Sequence, residues 1–173
     1  MITEEIKASI QKGLALLPDS MNSINARVML YAIGLQESRF IYRYQLVSGT
    51  TGKLAAKGPA RGFWQFEVGG AIPGLMSLAS TKPHTKLVCD ILNVPFVAKD
   101  IWESLETNDE LAAAFARLLL YSDPKPLPSL SEAQSAWDYY IRCWRPGKPH
   151  RKTWDAFHAA SVQAADRRRE VRN

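Results

Sequence analysis

The most constraining feature of the sequence is a helical row of apolar residues that ends in a carboxylate. Ala26, Leu30 and Ile33 are spaced by four and three residues, which places them on one face of a helix, and Glu37 continues the row. If that face is packed, the Glu37 carboxyl is partly removed from water and its pKa rises. A carboxyl with a raised pKa can act as a general acid near neutrality. The alternative is a helix that frays near Phe40 and leaves Glu37 in solvent.

Further helical patterns occupy most of the remaining chain. Capping boxes at 107–110 and 131–134 precede apolar rows and predict two helix starts. Thr3, and then either Asn22 or Ser23, are predicted to cap the first two helices. The predicted helices cover about residues 3–17, 23–40, 83–94, 107–122, 131–145 and a last segment through 154–161.

One hairpin is the only clear strand pattern in the sequence. Residues 42–47 and 53–56 have strand composition, turn residues separate them at 48–52, and Gly58-Pro59 is predicted to close the hairpin. The glycine-rich and aromatic segment 61–74 has no sustained period and predicts a loop or a short buried turn. The chain is therefore predicted to form one mainly α domain (α+β overall) over residues 1–173, with a small β-hairpin after the Glu37 helix.

Charge narrows the choice of partners without selecting one. A net charge of +5 and a pI near 9.3 favour nucleic acid, an anionic membrane or the bacterial cell wall. No nucleic-acid-binding motif occurs, so no nucleic acid partner is expected. No apolar run approaches the roughly 18 residues of a membrane span. Residues 1–12 mix charges into a helical pattern, so we do not expect them to act as a signal peptide.

Cysteine and histidine do not predict a metal site. Cys89 and Cys143 are too few for a disulfide framework or a metal cluster, and their apolar neighbours predict that both are small core residues. His84, His150 and His158 are too dispersed for a zinc motif and are predicted to lie at the surface or at helix caps. No metal and no organic cofactor are expected.

Acidic residues are unusually sparse around the central helix. Between Asp19 and Asp90 the only acids are Glu37 and Glu67. Cations lie between the two glutamates, at Arg39, Arg43, Lys53, Lys57 and Arg61. Two isolated carboxylates, one at a helix end and one on a glycine-rich loop, are groups of the kind that most glycoside hydrolases use.

Two short segments resemble the signatures of lytic transglycosylases in the lysozyme-like superfamily. The segment Gln36-Glu37-Ser38-Arg39-Phe40 resembles the family's Glu-Ser-x-Phe signature. The segment 62–66, Gly-Phe-Trp-Gln-Phe, is similar to its Gly-Leu-Met-Gln-Ile segment, with tryptophan in place of the usual methionine. A third family element contains Tyr-Asn, and its nearest candidates here are Tyr139 and Tyr140, without the asparagine.

The resemblance implies cleavage of the β-1,4 bond between N-acetylmuramic acid and N-acetylglucosamine in peptidoglycan. Glu37 would be the catalytic acid/base, while Ser38 and Gln65 would support Glu37 or an acetamido group of the substrate. The aromatic stripe of Trp137, Tyr140, Ile141 and Trp144 is read mainly as core. Aromatic residues expected to line the cleft or to stack on sugar are Phe63, Trp64, Tyr139 and Trp144.

The sequence leaves several alternatives open. Glu67 has no counterpart in the signature, so the enzyme is either a single-glutamate transglycosylase or a two-carboxylate hydrolase that uses Glu37 and Glu67. A non-catalytic basic binding or virion module is the alternative from another class. The small size and the missing leader resemble phage endolysins and virion-associated murein-cleaving domains. That likeness implies a monomer that reaches peptidoglycan strands from the host cytoplasm or from the virion.

Overall fold

The computed structural model describes residues 1–47 and 56–166, and this part of the chain is mainly helical. The predicted fold class, a mainly α domain with a small antiparallel sheet, is confirmed. A 3-10 turn covers Asp19–Met21. The α-helices are α1 (Glu4–Ala15), α2 (Ile24–Ser38), α3 (Ala71–Ser77), α4 (Lys82–Ile91), α5 (Ala98–Ser104), α6 (Asp109–Tyr121), α7 (Ala133–Trp144) and α8 (Arg151–Ala165).

Helix starts follow the predicted caps at the first two helices and differ at two others. Thr3 accepts a hydrogen bond from Ile6 N, and Ser23 accepts one from Ala26 N. The capping box predicted at 107–110 is wrong in its first residue, because Asn108 and not Thr107 caps α6. The predicted box at 131–134 is also wrong. Glu132 precedes α7, and its carboxylate accepts bonds from the backbone and hydroxyl of Ser129 instead of capping the helix.

Two short helices were missed by the sequence prediction. The segment 61–74, predicted as a loop or a short buried turn, contains a turn at 62–65, a short strand and the start of α3. Helix α5 follows a turn in which Val97 N donates to the Pro95 carbonyl. Each of these helices has seven residues, so neither contains two full turns of apolar spacing. Pro73 and Gly74 further weaken the helical signal of α3.

The sheet has three antiparallel strands, β1 (Tyr44–Val47), β2 (Ala56–Arg61) and β3 (Phe66–Glu67), in the order β1-β2-β3. The first arm of the predicted hairpin is confirmed, while the predicted turn and most of the second arm lie outside the described residues. Gly58-Pro59 does not close the hairpin, because both residues lie inside β2. Tyr44 pairs with Arg61 but Leu46 pairs with Lys57, so β2 contains extra residues at this point. An irregular register accommodates a proline that cannot donate to a ladder.

The core surrounds α2. Residues 28–35 of this helix are all buried, and α2 packs mainly against α8 while α1 packs against α6. The apolar row that predicts one packed face therefore understates the burial, because the helix is enclosed on all sides. Within the described residues, no helix combines the length and the apolar character that a bilayer crossing requires.

Cysteines and histidines mostly occupy the predicted environments. Cys89 is buried and Cys143 is half-buried, and both are free thiols. Burial raises the pKa of Cys89 to about 11. His150 is exposed at the start of α8, as predicted, but the surface prediction for His158 is wrong. His158 is buried behind Trp154, and burial lowers its pKa.

Gly62, which follows β2, allows the turn into the loop 62–65, and replacing it should lower stability. Its φ of +71° is a left-handed conformation, and an added Cβ would lie 2.6 Å from the Leu105 carbonyl oxygen. We expect Gly62→Ala to lower the free energy of unfolding by about 2–4 kcal/mol, since backbone strain and a backbone clash add. Urea denaturation measures this, with Gly74→Ala as the control because nothing lies within 4 Å of that site. Equal stabilities of the two variants would contradict the expectation.

Candidate active site

Helix α2 ends in a tight turn directly after Glu37. Arg39 and Phe40 both adopt left-handed conformations, with φ of 57° and 55°, and Arg39 N donates to the Leu35 carbonyl at 3.1 Å. The Phe40 ring folds back over Gly34, where an added Cβ would lie only 2.2 Å from the ring. The alternative that the helix frays and leaves Glu37 in solvent is therefore wrong.

Ser38 fastens this helix end to the loop 62–65. Its Oγ accepts a hydrogen bond from Phe40 N at 3.1 Å and lies 2.7 Å from the Phe63 carbonyl and 3.2 Å from the Gly34 carbonyl. The side chain is buried, and these bonds use the hydroxyl fully. Ser38 therefore positions the residue that precedes it through the backbone and is not part of the cavity lining.

Phe63 and Trp64 are core residues rather than cleft residues. Their exposed fractions are 6% and 1%, and the Phe40 ring meets both edge-on at centroid distances of 5.4 and 5.9 Å. The Trp64 indole donates to the Leu30 carbonyl of α2 at 3.0 Å. The sequence placed these two aromatic residues at the cleft wall, whereas the structure places them beneath the loop, where they anchor it to the helix.

The cavity beside Glu37 has a volume of about 1370 Å³. Its wall is formed by the end of α2, the sheet, α3, the end of α6 and the end of α7, and it includes Gln65, Glu67 and Trp144. Gln65 is half-buried and donates to the Gly62 carbonyl at 2.9 Å, which fixes its amide at the loop. The Trp144 indole donates to the Trp64 carbonyl at 3.1 Å, so its ring is held at the cavity edge.

Glu37 is the most perturbed acid of the cavity. Burial raises its pKa from an ordinary value of 4.5 to about 7, and a hydrogen bond from the Tyr140 hydroxyl to Oε1, at 2.6 Å, opposes the rise. The Tyr140 ring is buried and stacked on Trp154, with centroids 5.2 Å apart. Burial and the nearby Glu37 charge raise the pKa of Tyr140 well above its ordinary value, so its hydroxyl remains a donor.

Glu67 lies on β3 at the same cavity but in a different environment. It is exposed, whereas Glu37 is largely buried. The cations that could have paired with it, Lys57 and Arg61, are instead bound to Glu106 at 2.6 and 3.0 Å. Among residues 1–47 and 56–166, no ion pair joins the Glu67 carboxylate to another side chain. The carboxylate is therefore available to a ligand in the cavity.

The structure separates the two tyrosines that the sequence left as candidates. The Tyr139 hydroxyl donates to the Leu120 carbonyl at 2.8 Å, and its ring does not line the Glu37 cavity. Tyr140, which the sequence assigned to the core stripe, is buried as expected but also reaches Glu37. A signal for this contact existed, because a buried tyrosine hydroxyl nearly always requires a hydrogen-bond partner.

The chain matches no family model, no curated protein and no solved structure. Within the described part of the chain, no group of three or more histidine, cysteine, aspartate or glutamate side chains is arranged to hold a metal ion.

Proposed function

We propose that the protein is a peptidoglycan-cleaving glycosidase in which Glu37 is the general acid and base. The observation that carries the proposal is a partly buried carboxyl with a pKa of about 7 at the wall of a large, partly polar cavity. Such a group is protonated in a substantial fraction of molecules at neutral pH, which general acid catalysis requires. The resemblance of the segment 36–40 to the Glu-Ser-x-Phe signature supplies the substrate class.

The proposed reaction is lytic transglycosylation. Glu37 gives its proton to the glycosidic oxygen as the bond to the muramic acid C1 breaks and an oxocarbenium-like centre develops. The resulting Glu37 carboxylate then takes the proton from the C6 hydroxyl of the same muramic acid ring. At the same time the oxygen of that hydroxyl attacks C1. This step closes a 1,6-anhydro ring and returns Glu37 to its protonated form. The Tyr140 hydroxyl, 2.6 Å from Oε1, stabilises the carboxylate between the two steps.

The groups around Glu37 have separate roles in this scheme. Ser38 positions the end of α2. The amide nitrogen of Gln65 is held by the Gly62 carbonyl, and its amide oxygen can accept a hydrogen bond from an acetamido group of the substrate. Trp144, held at the cavity edge, offers an aromatic face to a sugar ring. The cavity wall also contains Arg145 and Lys148, which can pair with carboxylates of a substrate, beside the acids Glu67 and Asp123. A non-catalytic binding module would not require the buried carboxyl at the cavity wall.

The second candidate, a two-carboxylate hydrolase, is kept because Glu67 lies on the same cavity without an ion-pair partner among the described residues. In the transglycosylase scheme Glu67 has no chemical step. We therefore expect Glu67→Gln to lower the activity by less than about tenfold. Replacing the general acid Glu37 should lower it far more. Mass spectrometry of digested sacculi should show anhydro-muropeptides from both the wild type and the variant.

The opposite results would select the hydrolase. Muropeptides with reducing ends, together with a Glu67→Gln variant as inactive as a Glu37→Gln variant, would make Glu67 the second carboxylate. Loss of turbidity of chloroform-treated Gram-negative cells provides the rate measurement for both variants. If the wild-type protein releases no muropeptides from sacculi and clears no cells, the glycosidase proposal itself is contradicted.

A further inference from the structure

A second cavity, of about 620 Å³, lies next to the first at the end of α6. The two cavities share the wall formed by residues 122–124. Apolar and aromatic groups form much of the second cavity, and they come from Leu120, Tyr121, Pro124, Pro126, Leu127 and Tyr139. A cationic side chain, Arg117, contributes to the same wall.

Arg117 is a buried cation whose hydrogen bonding is incomplete. Only 5% of the residue is exposed, and its Nε donates to the Met21 carbonyl at 2.7 Å. One terminal nitrogen, NH1, is buried and has no hydrogen-bond partner. No ion pair to Arg117 occurs among residues 1–47 and 56–166; its guanidinium carbon lies 5.8 Å from the centre of the Tyr121 ring, and burial lowers its pKa. Leaving a buried charge uncompensated is costly, so the site favours an anion that would complete the pairing.

The acid nearest to this cavity does not compensate Arg117. Asp123 accepts hydrogen bonds from Arg142 Nε at 2.5 Å and from Lys125 N at 2.9 Å, and the Arg142 bond lowers its pKa. The Lys125 side chain is exposed at the cavity and has no ion pair within the described part of the chain. Two cations, Arg117 and Lys125, therefore remain for a ligand.

We propose that the Arg117 cavity binds the free carboxylate of a short peptide. The Nε of Arg117 is already bonded to the Met21 carbonyl, so the two terminal nitrogens of the guanidinium are the donors left for a carboxylate. The proline and tyrosine walls suit the aliphatic part of such a ligand. The identity of the peptide depends on the proposed function. Peptidoglycan strands have peptide branches with free carboxylates, and the shared wall at 122–124 places such a branch within reach of a glycan bound beside Glu37.

The first test uses the wild-type protein and two peptides. The probe is the tetrapeptide L-Ala-γ-D-Glu-meso-diaminopimelate-D-Ala, and its control is the same peptide with every carboxyl amidated. We expect calorimetric titration to show at least tenfold weaker binding of the amidated peptide, since a charge-assisted pair is lost. The acid peptide should also shift the NMR signal of the Arg117 Nε–H. Equal binding of the two peptides, or no binding of either, would overturn the proposal.

Variants then locate the binding site. Arg117→Lys keeps the charge but loses the fork, and we expect about tenfold weaker binding of the acid peptide. Lys125→Ala should weaken binding severalfold, whereas Lys99→Ala, an equal change of net charge on α5, should have no effect. If binding is unchanged in both Arg117→Lys and Lys125→Ala, the peptide binds elsewhere and the proposal fails. Because Lys125 is exposed, its variant remains informative even if Arg117→Lys unfolds.

The two proposals fail in distinguishable ways. A protein that binds the acid peptide at Arg117 but releases no muropeptides would contradict the glycosidase and leave the carboxylate site standing. A protein that cleaves glycan strands equally well with and without their peptides, and does not bind the tetrapeptide, would contradict the carboxylate site alone.

Discussion

Replacing Glu37 with glutamine is expected to lower wall-degrading activity by about 10²–10⁴-fold or more and, above pH 7, to stabilise the fold. Glutamine keeps the shape of the side chain, and its carbonyl can still accept the hydrogen bond from Tyr140. It cannot give a proton to a glycosidic oxygen. The rate of muropeptide release from sacculi measures the loss of activity.

The gain in stability follows from the raised pKa of Glu37. Below pH 4.5 the carboxyl is protonated in both the folded and the unfolded protein, so it contributes no difference. As the pH rises from 4.5 to about 7, the unfolded chain ionises while the folded protein resists ionisation, and stability falls. The difference between the two pKa values corresponds to a loss of about 3 kcal/mol above pH 7. Glutamine does not ionise, so Glu37→Gln avoids this loss.

Urea denaturation at pH 4 and at pH 8.5 measures the effect. We expect the wild type to lose stability relative to Glu37→Gln between these two values. Glu5→Gln, which changes an exposed glutamate of α1, controls for the change of net charge and should show no such difference. Near wild-type activity of Glu37→Gln would refute its role as the acid. If the stabilities of the wild type and of Glu37→Gln change with pH in parallel, the Glu37 carboxyl is not buried.

The sequence predicted the location of Glu37 well because local signals determine the end of α2. The apolar row from Ala26 to Ile33 and the Ser23 cap both depend on residues within a few turns of each other. Helices with at least three turns were found for the same reason. The seven-residue helices α3 and α5 were not found, because their formation depends on packing against the rest of the fold rather than on a sustained pattern.

The orientation of individual aromatic side chains could not be predicted from the sequence. Phe63 and Trp64 lie between Gly62 and the polar residue Gln65, so the sequence pattern does not indicate which side of the loop meets solvent. Their burial is set by Phe40, a residue more than twenty positions earlier that turns back over Gly34. Tyr140 and Glu37 are 103 residues apart in the sequence, and only the packing of α7 brings the two side chains together.

If Glu37 is the general acid proposed above, the hydroxyl of Tyr140 should control the pH range of activity. It donates to Oε1 of Glu37 and favours the charged carboxylate, so it lowers a pKa that burial raises. Tyr140→Phe removes this bond while keeping the ring stacked on Trp154. The pKa of Glu37 should then rise by about one to two units, because a hydrogen bond to a charged group contributes about 1.5–3 kcal/mol.

For the proposed glycosidase, the consequence appears on the alkaline side of the pH profile of kcat/KM, which reports the pKa of the acid in the protein without bound substrate. For the wild type the rate should decline above about pH 7, as Glu37 loses its proton. For Tyr140→Phe the decline should begin one to two pH units higher, since the acid remains protonated longer. Tyr139→Phe is the matched control, because that buried hydroxyl donates to the Leu120 carbonyl and not to Glu37. An alkaline limb that stays in place in Tyr140→Phe, or one that moves equally in Tyr139→Phe, would show that the Tyr140 bond does not set the pKa of the acid.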